Sequence, residues 1–100
     1  MPNFNSGVAN ASAPTNVLIG VTDTTAVAEN NNRVGLVLTN ISGSTMYLAL
    51  MGMRSTLHAG IVLLPSGGNW SMDEYNWNTS QVNAIAHSAG NILCVQEFIR

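Results

Sequence analysis

Residues 81–98, QVNAIAHSAGNILCVQEF, contain two alternating runs on either side of a short turn. In the first run Val82, Ala84 and Ala86 share one face of a strand, because successive side chains of a strand point to opposite sides. The turn contains Gly90, which adopts a positive φ at little cost. The second run carries apolar residues on both faces, which is typical of a strand covered on both sides for part of its length. The segment therefore predicts a closing β-hairpin.

The rest of the chain repeats this alternation of short β-type runs and turn residues. Turn signals recur about every ten residues, which favours an antiparallel β-sandwich or a jelly-roll-like small barrel of about seven or eight strands. Residues 24–32, TTAVAENNN, are long enough for one helical turn, but three consecutive asparagines disfavour a helix. The other predicted strands are VLIGVT (17–22), RVGLVLTN (33–40), TMYLAL (45–50), AGIVLLP (59–65) and WSMDEYNW (70–77).

The chain divides into an N-terminal arm, residues 1–16, and one globular β-sandwich domain, residues 17–100. The arm is rich in Asn, Ser, Ala, Gly and Pro and has one aromatic residue, Phe4. Such a segment cannot bury enough apolar surface to order itself in water. It is either a free extended tail or an arm that becomes ordered on a partner with Phe4 as its anchor.

The charge composition argues against several classes of partner. Only 8% of the residues are charged, lysine is absent, and the three arginines leave a net charge of −2. Binding to nucleic acid or to anionic lipid needs a basic patch, so we expect neither partner. We also expect no membrane span, because no apolar run reaches about 18 residues. The first residues lack the charged and apolar regions of a secretory signal.

The polarity of this chain comes from Asn, Ser and Thr instead of charges. Neutral amides and hydroxyls cost much less to desolvate than ions, so a neighbouring protein can cover such a surface cheaply. Lysine is depleted at the buried centres of interfaces. The composition is therefore that expected of a protein whose surface is buried against a partner. Compositional drift in a small domain would give the same charge and polarity.

The residues capable of chemistry do not form a recognisable active site. His58 and His87 lie in predicted turns without the spacing of metal ligands. Cys94 lies in mid-strand and is expected to be a small buried hydrophobic residue. Asp73 and Glu74 are adjacent on a predicted strand and point to opposite faces. We therefore expect no enzyme activity, no metal site and no cofactor.

The aromatic residues are the candidates for partner binding: Phe4, Trp70, Tyr75 and Trp77. The last three could stack on a sugar ring, with several asparagines nearby, as in a carbohydrate-binding β-sandwich. Core and interface positions are the commoner locations of such residues.

The order of these motifs resembles that of a known group of proteins. An Arg opens a strand that ends in Asn (RVGLVLTN), and MYLAL follows after a turn. Then come an apolar run closed by Pro-Ser-Gly (GIVLLPSGG), an aromatic-rich segment, and VNAIAHSAGNILCVQEF. Over residues 33–99 this pattern is similar to that of small β-sandwich virion proteins of tailed bacteriophages. Arg33 and Asn40 can hold backbone carbonyls and turns at the two ends of their strand.

The resemblance implies a capsid cement or decoration protein on the virion surface, most often a homotrimer, whose partners are the major capsid protein and its own copies. A head-fibre, tail-spike or baseplate module is an alternative of the same class. The carbohydrate-binding β-sandwich is the alternative of another class.

Overall fold

The computed structural model describes residues 10–73 and 76–100, which are all-β without a helix. The predicted fold class is confirmed, with nine strands in these residues. They are β1 (Asn10–Ala11), β2 (Thr15–Ile19), β3 (Thr24–Val27), β4 (Arg33–Asn40), β5 (Met46–Ala49), β6 (Ile61–Leu63), β7 (Gly68–Ser71), β8 (Val82–Ala86) and β9 (Asn91–Ile99). The described part of the chain contains no helix of the length and apolarity needed to cross a membrane.

The strands form two antiparallel sheets. The first sheet has the order β1-β9-β4-β7, and β2 pairs with β9 on the same edge as β1. The second sheet has the order β3-β8-β5-β6. The connection from β5 to β6 stays within the second sheet, whereas most other connections cross from one sheet to the other. These crossings produce a sandwich whose core lies between the two inner faces.

The predicted closing hairpin is wrong. The two runs form strands, but β8 pairs with β3 and β5, and β9 pairs with β1, β2 and β4. Gly90 has the predicted positive φ, at 77°. The turn before β9 therefore carries the chain from one sheet to the other. The alternating pattern is the same in both arrangements, because it specifies the buried face of a strand and not its partner.

The core is formed by the inward residues of both sheets. In β4 the alternation is direct: Leu36 and Leu38 are buried, whereas Val37 between them is exposed. All five residues of β8 are buried, and four of them are apolar. The remaining buried apolar residues of the core cluster are Ile19, Ala26, Val27, Met46, Leu48, Leu63, Leu93 and Val95, together with Val82, Ala84 and Ala86 of β8.

The described part of the predicted arm, residues 10–16, is extended and lies along the edge of the first sheet. Asn10 and Ala11 pair with the end of β9, and Thr15 begins β2, two residues before the predicted strand start at 17. Another boundary also differs, since the predicted strand 70–77 is replaced by β7, which ends at Ser71.

Candidate functional site

A fully buried guanidinium holds two loops at one end of the sandwich. Arg33 Nε donates to Glu97 Oε2 at 2.7 Å, and the terminal nitrogens donate to the carbonyls of Ala28, Ser80 and Asn78 at 2.6, 2.8 and 3.4 Å. Several charge-assisted hydrogen bonds offset the cost of burying the charge. The predicted role of Arg33 in holding backbone carbonyls is confirmed.

A β-bulge directs the side chain of Arg33 into the interior of the sandwich. Arg33 pairs with Ile99 and Gly35 with Phe98, which leaves Val34 as an extra residue in β4. Since Leu36 points inward, strict alternation would place the side chain of position 33 outside. An extra residue in one strand re-aims the side chains beyond it. The bulge is therefore the reason that a charged residue lies in the interior.

Asn40 closes the other end of β4. Its Nδ2 donates to the carbonyls of Ser44 and Leu63 at 2.7 and 3.0 Å, and its Oδ1 accepts from the backbone N–H of Ser42 at 2.9 Å. One buried amide thus uses both donors and an acceptor on turn backbone. The predicted role of Asn40 is also confirmed.

The β5–β6 connection folds over the outer face of the second sheet. Asn83 Nδ2, on β8, donates to the Met53 carbonyl at 2.7 Å. The backbone N–H of Ser55 donates to Asp23 Oδ1 at 2.7 Å, and Ser55 Oγ donates to the same oxygen. The hydrogen bonds from the Ser55 hydroxyl and backbone N–H hold the pKa of Asp23 below its usual value. Partial burial of the carboxylate acts in the opposite direction, and the charge of Arg54 lowers the pKa slightly further. These contacts fasten the connection to the sheet.

Where this connection meets the second sheet, two imidazole rings converge on the hydroxyl group of Tyr47. Tyr47 Oη lies 2.9 Å from His87 Nε2 and 3.3 Å from His58 Nδ1. The two imidazole centroids are 4.9 Å apart, and the centroids of His58 and His87 lie 5.5 and 5.4 Å from that of the phenol ring. We call Tyr47, His58 and His87 the Tyr47 cluster.

The Tyr47 cluster combines a buried phenol with two exposed imidazoles. It provides hydrogen-bond donors, acceptors and nitrogen ligands at one surface position. Both histidines are exposed in turns, as predicted, but they also share the Tyr47 hydroxyl as a hydrogen-bond partner. Among the described residues, no group of three or more His, Cys, Asp or Glu side chains is placed to hold a metal ion.

Large apolar side chains are exposed on both outer faces. Leu18, directly opposite Ile92 in the first sheet, is 65% exposed. Near the second sheet, Met53 on the covering connection is 66% exposed and Leu64 after β6 is 63% exposed. The other large exposed apolar residues of the described chain are Val21, Val37, Ile41, Met51, Leu57, Val62 and Trp77.

The predicted partner-binding aromatics occupy different environments. Trp70 lies opposite Leu38 on the inner side of β7 and packs, partly buried, against the core. Trp77 is exposed over half of its surface, and its Nε1 donates to the Arg33 carbonyl at 3.0 Å. Phe4 and Tyr75 lie outside the described residues. Their role in partner binding stays a prediction.

Cys94 differs from its prediction. It lies on the outer face of β9, partly exposed, opposite Asn16 on one side and Thr39 on the other. The thiol donates to Asn16 Oδ1 at 3.1 Å. The inward positions of the strand belong to its neighbours Leu93 and Val95, so burial of Cys94 in the core is excluded by the alternation.

Comparisons with protein-family models, with characterised proteins and with solved structures found no match for the chain. The resemblance to phage virion proteins therefore depends on the order of motifs in the sequence.

Proposed function

We propose that this chain is a bacteriophage structural protein, a capsid cement or decoration protein that bridges neighbouring subunits of the head shell. The proposal depends on the surface of the described residues. Ten large apolar side chains are exposed in the described residues of a chain with only 8% charged residues. Contiguous exposed apolar patches mark sites of interaction with other proteins, and we assign that role to these side chains.

The composition of this surface lowers the cost of covering it. The polar side chains of the chain are mainly neutral amides and hydroxyls, which are less costly to desolvate than ions. Burial of apolar area contributes about 25 cal/mol per Å². A contact of about 1,000 Å² is enough for specific association once orientation and ordering costs are subtracted.

Repetition of such contacts on a shell raises the overall affinity of the protein for the shell. A homotrimer that engages three capsid subunits at once gains affinity from high effective concentration without stronger individual contacts. The bridging itself stabilises the shell, because a ligand that binds the assembled state and not the separated subunits shifts the equilibrium towards assembly.

The N-terminal segment offers a second means of attachment. Residues 10–16 lie along β9 at an edge of the first sheet. Residues preceding them can extend the contact to a neighbouring capsid subunit or to another copy of the chain. Ordering of such an arm on binding costs entropy, but it enlarges the footprint.

Co-sedimentation tests the proposal. Purified protein is mixed with empty shells assembled from the major capsid protein of the source phage and then centrifuged. We expect wild-type protein to sediment with the shells at saturable stoichiometry, and Leu18→Ser or Met53→Ser to bind at least about tenfold more weakly, which is the effect of roughly 1.4 kcal/mol of lost contact. The control, Thr25→Ser at an exposed polar position, should bind as wild type does.

The alternatives give different results. Failure to bind shells together with binding to purified tails or baseplates would assign the chain to those structures. Binding to immobilised glycans that Trp77→Ala abolishes would support the carbohydrate-binding alternative. Either result would overturn the cement proposal.

A further inference from the structure

The Tyr47 cluster is assembled from three separate parts of the chain. Tyr47 is on β5 and opposes Ile85 of β8. His87 follows two residues after Ile85 and therefore points to the same outer face. His58 comes from the covering connection, with a left-handed φ of 65°. His is one of the few residue types enriched in that conformation.

The hydrogen bonding at the hydroxyl group determines how the rings face it. Tyr47 Oη carries a single proton, yet a nitrogen of each imidazole lies within hydrogen-bond distance of it. The hydroxyl therefore donates to one imidazole and accepts an N–H from the other. Both nitrogens are thus directed at one point, and the largely buried phenol fixes that point.

We propose that His58 Nδ1 and His87 Nε2 are two ligands of a surface site for a divalent transition metal. Imidazole nitrogen is a favoured ligand of Cu²⁺, Ni²⁺ and Zn²⁺. Rotation of the two exposed rings away from Tyr47 Oη would let both nitrogens form metal–imidazole bonds of ~2.0–2.1 Å. The imidazole that donates to Tyr47 moves its proton to its other ring nitrogen, so that a lone pair faces the metal.

The ligand set defines the character of the site. Two imidazoles leave the remaining coordination positions to water, unlike a structural zinc site, which has four protein ligands. The general order of affinities places Cu²⁺ above Ni²⁺ and Zn²⁺ for nitrogen ligands. The negative net charge of the chain is compatible with a bound cation. The site is therefore expected to bind reversibly, with Cu²⁺ held most tightly.

Titration of the full chain with CuCl2 tests the inference. Calorimetry should give one site per chain, and His58→Ala and His87→Ala should each lower the affinity at least about tenfold, the minimum expected for disturbing a metal ligand. Cys94→Ala is the matched control, since the partly exposed thiol of Cys94 is a soft metal ligand outside the Tyr47 cluster. Its affinity should equal that of the wild type.

Electron paramagnetic resonance of Cu²⁺ on wild-type protein gives a readout that needs no variant. Hyperfine splitting from two imidazole nitrogens is expected at one equivalent. Splitting from one nitrogen or none, unchanged affinity in both histidine variants, or loss of binding in Cys94→Ala would overturn the assignment. These outcomes are independent of whether the protein attaches to a capsid.

Discussion

Arg33 Nε lies 2.7 Å from Glu97 Oε2, although 64 positions separate the two residues in the chain. The guanidinium is fully buried and Glu97 is 19% exposed, so the pair lies at the margin of the core. The same guanidinium holds the carbonyls of Ala28 and Ser80. One side chain thereby joins two neighbouring strands and two loops.

Arg33→Ala should therefore destabilise the domain by about 3–5 kcal/mol, because it leaves a carboxylate and several carbonyls without their donor. Arg33→Lys should also destabilise it, since an ammonium lacks the planar fork that reaches separate acceptors. Urea unfolding monitored by circular dichroism measures both changes. Arg100→Ala, at an exposed arginine, is the control and should stay within about 0.5 kcal/mol of wild type. An Arg33→Ala variant as stable as this control would contradict the role of Arg33.

Gly60→Ala should destabilise the protein by at least about 2 kcal/mol, because the position combines two constraints. Its φ is +86°, and a Cβ there would collide with the carbonyl oxygen of Leu48. Gly43→Ala is a matched control, since the space around Gly43 is open. Thermal unfolding of both variants measures the difference. Equal melting temperatures would show that the path of the β5–β6 connection is wrong.

Acid should weaken the attachment of the β5–β6 connection. The folded-state pKa of Asp23 is lowered from 3.8, so the unfolded state takes up the proton first as pH falls. The stabilisation by Asp23 is complete at pH well above 3.8 and is lost as pH falls through the lower, folded-state pKa. Urea midpoints of wild type and Asp23→Asn should therefore differ at pH 7 and converge towards pH 3.

Glu29→Gln is the control for this titration, because Glu29 is exposed. Its difference from wild type should be small at every pH. A constant difference between wild type and Asp23→Asn from pH 7 to pH 3 would refute the contribution of the Asp23–Ser55 contact.

Cys94→Ser should cost less than about 1 kcal/mol, because the side chain is partly exposed and serine can still donate to Asn16. Leu93→Ala, at the buried neighbouring position, should cost about 2–5 kcal/mol. Urea unfolding compares the two, and a thiol reagent should label Cys94 without prior unfolding. A large loss in Cys94→Ser with no labelling would place the thiol in the core.

The sequence was sufficient to predict the all-β fold, most of the strands and the two polar ends of β4, but not β1 or β3. Alternation identified Val82, Ala84 and Ala86 as one face, which is buried in the core. Residue chemistry identified Arg33 and Asn40 as holders of backbone carbonyls. Strand pairing was not predictable, because the turn between β8 and β9 suits either a hairpin or a crossing between sheets. The bulge at Val34 was not predictable either, because it has no local sequence signal.

The Tyr47 cluster could not be predicted from the sequence either. His87 could be placed on the face of Ile85 by alternation, but its proximity to Tyr47 depends on the pairing of β5 with β8. His58 reaches the same position through a connection whose path is set by tertiary contacts. Isolated histidines in turns give no signal of such convergence.

We propose that this chain acts by covering a neighbouring protein surface on a phage head. A cryo-electron microscopy map of the phage particle, at a resolution that distinguishes β-sandwiches, tests this proposal. We expect density for this domain on the outer surface of the head, in groups of three where capsomers meet. A head shell without that density, in particles shown by mass spectrometry to lack the chain, would contradict it.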